Sequence, residues 1–165
     1  MTMAPRVEAH LEKVGVSYEL IKHPLSHNSH QSARAAHLPA EKLAKAIITH
    51  DGDRYCMCVI PANHRLLLSA LDQHMRGHFR LASEEELQWL FDDCAQGAIP
   101  ALGQVYGMHV IWDECFENMD DIYFEGGDHQ HLVHLSRAAF MELMGRQEHR
   151  PISRPEDDLK DAQLH

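Results

Sequence analysis

Two apolar runs joined by three turn residues constrain the fold most: AKAIITH (44–50) and RYCMCVI (54–60), with Asp51-Gly52-Asp53 between them. β-branched and apolar residues on both sides of an Asp-Gly turn predict a β-hairpin. Strand alternation puts Lys45 and Ile47 on one face of the first strand and Ala44, Ala46 and Ile48 on the other, so neither face is polar. Lys45 then has two readings. Its stem can lie along apolar surface while the ammonium snorkels to water. Alternatively the ammonium is held partly desolvated, with a lowered pKa, as an electrostatic partner for an oxyanion or phosphate.

Short elements flank this hairpin. APRVEAHLEKVG spaces Val7, Leu11 and Val14 as a helix and ends on Gly15, suited to a left-handed cap. VSYELIKH alternates as a strand. After the polar loop HPLSHNSHQ, Ser32 is the expected cap of a short helix ARAAHL, and Pro39 starts a turn at AEKLA. Asn63 is expected to cap a helix over HRLLLSALDQHM. Ser83 and Glu86 form an S-x-x-E capping box for EEELQWLFDD. MHVIWD, DIYFEG and HLVHL read as strands, and Ser136 caps RAAFMELMG. Short helices interspersed with hairpins predict one α+β domain over residues 1–146, around a mixed or mainly antiparallel sheet. From Gln147 onward, Pro151, Pro155 and the charges read as a solvated tail, 147–165, of a composition suited to disorder.

Charge is unevenly spread. The net charge is −10, and residues 81–136 contain twelve Asp or Glu with no Lys or Arg. A groove tracking a nucleic-acid duplex is disfavoured, because phosphate contacts need cations. A small basic patch from the first half is compatible, with Arg65, Arg76 and Arg80 among His64, His74 and His78 as its candidates; a solvated helix face is the alternative. Cys56, Cys58, Cys94 and Cys115 have no paired C-x-x-C spacing and read as reduced thiols. No apolar run approaches the roughly 20 residues of a membrane span, and the first residues lack a signal-peptide core, so the expected location is the cytoplasm.

Two loops have chemical potential. GAIPALG (97–103) combines glycines and a proline that can expose backbone N–H groups to an oxyanion or carbonyl. GGDHQH (126–131) places Asp128 and His129 after two permissive glycines, where they can orient water or a hydroxyl; a decorated hairpin turn is the plainer reading. His129 with His131, or the cluster His23, His27 and His30, could ligate zinc, but no H-E-x-x-H or C-x-x-C fixes a geometry and no metal is expected. There is no Walker loop, dinucleotide fingerprint or G-x-S-x-G elbow.

The order SARAA, LAKAIITHDGDRYCMCVIPANHRLLLSAL, SEEEL, GAIPALG and GGDH, over about residues 3–145, resembles the YbaK/prolyl-tRNA synthetase-associated family of aminoacyl-tRNA editing domains. The resemblance implies an α/β-type fold with a central mixed, barrel-like sheet surrounded by short helices. It implies hydrolysis of the ester of a mischarged tRNA, with a small amino acid such as Ala, Ser or Cys as the error. A synthetase core does not fit in this length, so a free-standing enzyme is implied. The partners implied are the tRNA acceptor end and, as a candidate, an aminoacyl-tRNA synthetase; no cofactor and no membrane are implied. By the same resemblance Lys45 contacts the terminal adenosine phosphate or ester carbonyl, and His129 positions substrate or water. Gly97, Ala98, Ile99, Pro100, Gly103, Gly127 and Asp128 fall on substrate-binding elements. The resemblance also implies that the substrate's ribose hydroxyl assists water activation. Three positions depart from its pattern: Ala101 replaces a loop proline, Asp128 a small hydroxyl residue, and Ala46 the polar residue of some alanine-editing members. A catalytically idle fold that binds a tRNA end, a nucleotide or a protein is the alternative.

Overall fold

The structure is a computed structural model and describes residues 3–158. Its strands are β1 (Glu19–Lys22), β2 (Leu43–His50), β3 (Tyr55–Pro61), β4 (His64–Leu66), β5 (Arg80–Leu81), β6 (His109–Asp113), β7 (Asp121–Glu125), β8 (His131–Ser136), β9 (Glu148–Arg150) and β10 (Ser153–Pro155). The expected hairpin is its centre: β2 pairs antiparallel with β3, Lys45 opposite Ile60 and Ile47 opposite Cys58. An eight-stranded sheet grows from it in the order β1-β8-β7-β2-β3-β6-β9, with β5 also on β2. The β2–β7, β3–β6 and β6–β9 pairs are parallel and the rest antiparallel, which is the mixed sheet of an α+β fold.

Alternation along the hairpin feeds two separate cores. Ala44 and Ile48 of β2, with Met57 and Val59 of β3, join the larger cluster, which contains Trp112, Phe116, Phe124 and Phe140. Cys56, Cys58 and Ile60 point to the other face and pack with Leu71, Phe79 and Ile152, with Ile47 against them. A central hairpin covered on both sides explains why neither of its faces is polar. Both buried cysteines are free thiols serving as core residues.

Most predicted caps are present. α1 (Pro5–Val14) ends on Gly15 at φ 80°, whose N–H donates to the Leu11 carbonyl. α4 (Glu84–Leu90) carries the full Ser83–Glu86 capping box, and Ser136 caps α5 (Arg137–Met144). Two caps differ. α2 (Ser29–Ala35) is capped by Asn28, whose side chain accepts from the Gln31 N–H at 2.9 Å; Ser32 is instead buried, its hydroxyl 2.6 Å from that of Ser26. Asn63 caps no helix: His64–Leu66 is β4, and α3 starts only at Leu68 and runs to Met75.

The tail explains that second difference and corrects its own prediction. β10 pairs antiparallel with β4, Arg154 opposite Arg65, and β9 adds a parallel edge to β6. A strand arriving from far along the chain turns the first predicted helical turn into a ladder, so tertiary pairing overrides local propensity. The tail is anchored by Asp113, whose Oδ2 accepts from the Ile152 N–H at 3.1 Å and the Ser153 hydroxyl at 2.7 Å, and by Ile152, fully buried. Residues 147–158 therefore belong to the folded unit; 159–165 lie outside the described residues. Among the described residues no helix is long and apolar enough to cross a membrane.

Candidate functional site

Lys45 sits near the start of β2, at the point where β3 ends and the chain turns through Ala62 to His64. Its Nζ donates to the carbonyls of Ala62 at 3.1 Å and His64 at 2.8 Å. One ammonium N–H is left without a partner among the described residues. Burial pushes the lysine pKa below its ordinary value; the Glu156 carboxylate opposes the shift, and the Arg65 guanidinium adds to it. The side chain is thus half-buried and tethered, with a free N–H at the surface of a narrow cleft.

That cleft, about 40 Å³, is lined by Asn28, Ser29 and Ser32 from α2, Leu43 to Ala46 from β2, Gly97 and Ile99, and Glu125 and His129. Four segments far apart in sequence meet there because β7 lies beside β2 and the loop after α4 is tied to the β7–β8 turn. Two hydrogen bonds make the tie. The Ala95 N–H donates to the Gly127 carbonyl at 2.8 Å, the His129 Nε2–H donates to the Gln96 carbonyl at 2.6 Å, and both loops flank the same end of β2. Since a carbonyl can only accept, the neutral imidazole carries its proton on Nε2 and keeps Nδ1 as an acceptor. His129 is buried, at φ 62°, an uncommon backbone setting for a residue with a side chain.

Glu125 organises the turn that holds His129. Its Oε1 accepts from the N–H groups of Gly127 at 3.0 Å, Asp128 at 3.2 Å and His129 at 3.0 Å. On the facing loop, Gly97 stands at φ 79°, and the Ala98 N–H donates back to the Ala95 carbonyl. The Gly97 and Ile99 N–H groups have no hydrogen-bond partner among the described residues, and both residues line the cleft together with Lys45. A wider hollow of about 290 Å³ lies behind this loop and shares Gly97 and Ile99 with the cleft. Burial pushes the Cys94 thiol in its wall up to about 12, so that sulfur is protonated near neutrality and a poor nucleophile.

Of the candidate site residues of the sequence, Lys45, Gly97, Ile99 and His129 meet in the cleft, with Ala46 beside Lys45 in its wall. The other candidate site residues do not line it. Ala98 and Pro100 are buried beneath the loop, and a Cβ on Gly103 would lie 2.7 Å from Val110 Cγ2, so this glycine serves packing. Asp128 turns away: its Oδ1 accepts from the Gln130 and His131 N–H groups at 2.9 Å each, and its Oδ2 lies 2.6 Å from His131 Nδ1. Arg65 is exposed and near enough to Lys45 to affect its charge. Arg80 is paired with Glu86 and sits opposite His50, five residues further along β2 and so roughly 17 Å from Lys45 at the usual strand rise. Arg76 is exposed in a left-handed cap after α3. The three arginines do not form one patch at the cleft.

Asn28, Ser29, Ser32 and Glu125 are cleft residues that the sequence reading missed. Asn28-x-x-Gln31 has the spacing of an N-terminal cap and could have located the first of them. Glu125 has no comparable signal.

Gly127 is fixed by the backbone. At φ 124° it lies in a region nearly confined to glycine, and an added Cβ would sit 2.9 Å from Ala4 Cβ and 3.1 Å from Ala4 N. Gly127→Ala is expected to destabilise the fold by about 2–3 kcal/mol, from strain plus a clash with relatively immobile backbone. Urea unfolding followed by tryptophan fluorescence would measure it; an unchanged midpoint would contradict the packing at Ala4.

A family model described as an aminoacyl-tRNA editing domain matches residues 23–143. No curated protein matches the chain. Solved structures share the fold. The hypothetical protein APE2540 superposes with a TM-score of 0.80 at 19% identity, covering 90% of this chain and 99% of that one. A protein described as "a putative trans-editing enzyme for prolyl tRNA synthetase" superposes at 0.79 with 20% identity, covering 92% and 96%. A "putative signal transduction protein" from Marinobacter aquaeolei VT8 superposes at 0.73 with 14% identity over 90% of this chain but 30% of its own length.

Proposed function

The chain belongs to the aminoacyl-tRNA editing domain family, and on that premise we propose that it is a deacylase that hydrolyses the ester of a mischarged tRNA, acting in trans on a small amino acid such as Ala, Ser or Cys. The observation that carries this reading is that one narrow cleft is lined by Lys45, whose tethered ammonium keeps a free N–H, and by Gly97 and Ile99, whose backbone N–H groups are unpaired among the described residues. Those are the groups an ester needs when its carbonyl oxygen gains charge.

In this mechanism Lys45 faces the carbonyl oxygen or the terminal phosphate, and the Gly97 and Ile99 N–H groups receive the developing oxyanion. His129 is a positioning residue. With Nε2–H bound to the loop carbonyl, its Nδ1 is the atom available to accept from a water or a ribose hydroxyl. The substrate's own hydroxyl assists the attacking water, so no protein nucleophile is used; the Cys94 thiol is protonated and sits outside the cleft. A site with so little free volume favours a small acyl group, as a size-limited editing pocket requires.

A panel of tRNAs mischarged with Ala, Ser, Cys and larger residues, incubated with the protein, tests the proposal. Release of the small amino acids at rates well above spontaneous hydrolysis is expected, and the larger ones should persist. No release from any member of the panel would overturn it. A binding-only reading has one observation in its favour: Lys45 Nζ and His129 Nε2 both already hold backbone carbonyls. Binding of the tRNA acceptor end without turnover would select that reading.

A further inference from the structure

A second cluster of reactive side chains lies past the end of β3, next to the turn that Lys45 holds. His64 of β4, Asp113 at the end of β6 and Cys115 in the 3-10 turn Glu114–Asn118 each offer one donor atom, and these three atoms all lie within 4.8 Å of one another. Asp113 is buried, and His64 and Cys115 are half-buried. Imidazole nitrogen, carboxylate oxygen and cysteine sulfur on three different elements form a donor set suited to a borderline-soft divalent ion, which would displace the thiol proton on binding. We propose that His64, Asp113 and Cys115 form a binding site for Zn²⁺ or a similar transition-metal ion, distinct from the cleft.

The surroundings fit a ligand shell. In a tetrahedral zinc site donors lie roughly 3.3–3.8 Å apart, given bonds of about 2.0–2.3 Å. The cluster needs a contraction of at most about 1.5 Å, which side-chain rotation can supply. Asp113 is already oriented as ligating carboxylates usually are, by outer hydrogen bonds: the Cys115 N–H to Oδ1 at 3.0 Å, and the Ile152 N–H and Ser153 hydroxyl to Oδ2. Lone pairs on Oδ1 remain for an ion. The Ser153 hydroxyl lies 2.9 Å from His64 Nδ1 and 2.7 Å from Asp113 Oδ2, so it stands beside the proposed ion and can complete the coordination, as can a water. A clamp on the tail alone would need Asp113 and Ser153; it gives no reason for a thiol and an imidazole at the same point. The site also touches the cleft through the backbone, because the His64 carbonyl accepts from Lys45 Nζ. An ion joining β4 to β6 steadies that acceptor.

The test uses full-length, reduced protein made without a histidine tag, stripped with a chelator and titrated with Co²⁺. Binding at this site is expected to give a thiolate-to-cobalt absorption in the near ultraviolet that saturates near one equivalent and is displaced by Zn²⁺. Cys115→Ser should abolish the band, His64→Gln should weaken binding at least tenfold, and Cys94→Ser should leave it unchanged. Thermal unfolding of wild type, but not of Cys115→Ser, should shift upward with Zn²⁺. The chain has fifteen histidines, so cobalt bound without a thiolate band indicates scattered surface imidazoles and overturns the proposal. A band that survives in Cys115→Ser overturns it equally. Circular dichroism of both variants checks that they fold.

Discussion

Lys45→Ala is expected to lower hydrolysis of a mischarged small-residue tRNA by about 10²–10³-fold, the loss that removal of one oxyanion donor, worth about 2.7–4 kcal/mol, produces. The effect should fall on the rate of the chemical step more than on tRNA binding, because the ammonium meets charge that grows in the transition state. The substitution removes two hydrogen bonds to carbonyls in the turn from β3 into β4, so a stability control is needed. Lys45→Arg supplies a second comparison: it keeps the charge but not the compact geometry, and should remain strongly impaired. Single-turnover rates within threefold of wild type for Lys45→Ala would remove Lys45 from the chemistry.

The pH profile carries a further signature. Burial, against the pull of Glu156 and helped by Arg65, holds the Lys45 pKa below the ordinary lysine range. Hydrolysis that needs the ammonium should therefore decline on the alkaline side below about pH 10.4, once spontaneous ester hydrolysis is subtracted. Lys45→Ala should lack this limb. Stability runs the other way. Between the folded-state pKa and the unfolded lysine value the unfolded chain binds more protons, so the penalty for burying the charge is relieved as pH rises through that window.

The sequence made the centre of the sheet legible because hairpin, alternation and turn chemistry agree there, and the capped helices legible because capping is a local event. The turn that carries His129 was legible for the same reason, since two glycines and a histidine sit within four residues of each other in GGDH. What stayed hidden depends on distant partners. His64–Leu66 looks helical until β10 pairs with it, and 147–158 looks solvated until Asp113 and a buried place for Ile152 are known. Asp128 appeared to bring charge into the site, whereas its carboxylate folds onto its own turn and His131. Family order pointed to substrate-binding elements, but only side-chain directions separate the residues that line the cleft from those, such as Ala98 and Gly103, that support it from below.

Glu125→Ala is expected to have the second large effect. One carboxylate oxygen holds three consecutive N–H groups, and these fix the turn that carries His129. Hydrogen bonds to a charged acceptor contribute about 1.5–3 kcal/mol each, and partial replacement by water recovers some of this. A net loss of about 3 kcal/mol follows, or roughly 6–12 °C in Tm for a chain of this size. The damage should spread to the cleft, because the same turn holds the loop after α4 through Gly127 and His129. Hydrolysis should then fall at temperatures where the protein is still folded. Glu125→Gln separates the two roles of the side chain: its amide oxygen can still accept from the turn, so most of the stability should return. Calorimetry on the three proteins, with single-turnover hydrolysis below all three transitions, measures both effects. If Glu125→Ala unfolds within 1 °C of wild type, water substitutes fully for the carboxylate and the turn is held by its backbone conformation alone. If Glu125→Gln is stable but as slow as Glu125→Ala, the charge itself acts in the cleft, beside Lys45 and His129, in addition to shaping it.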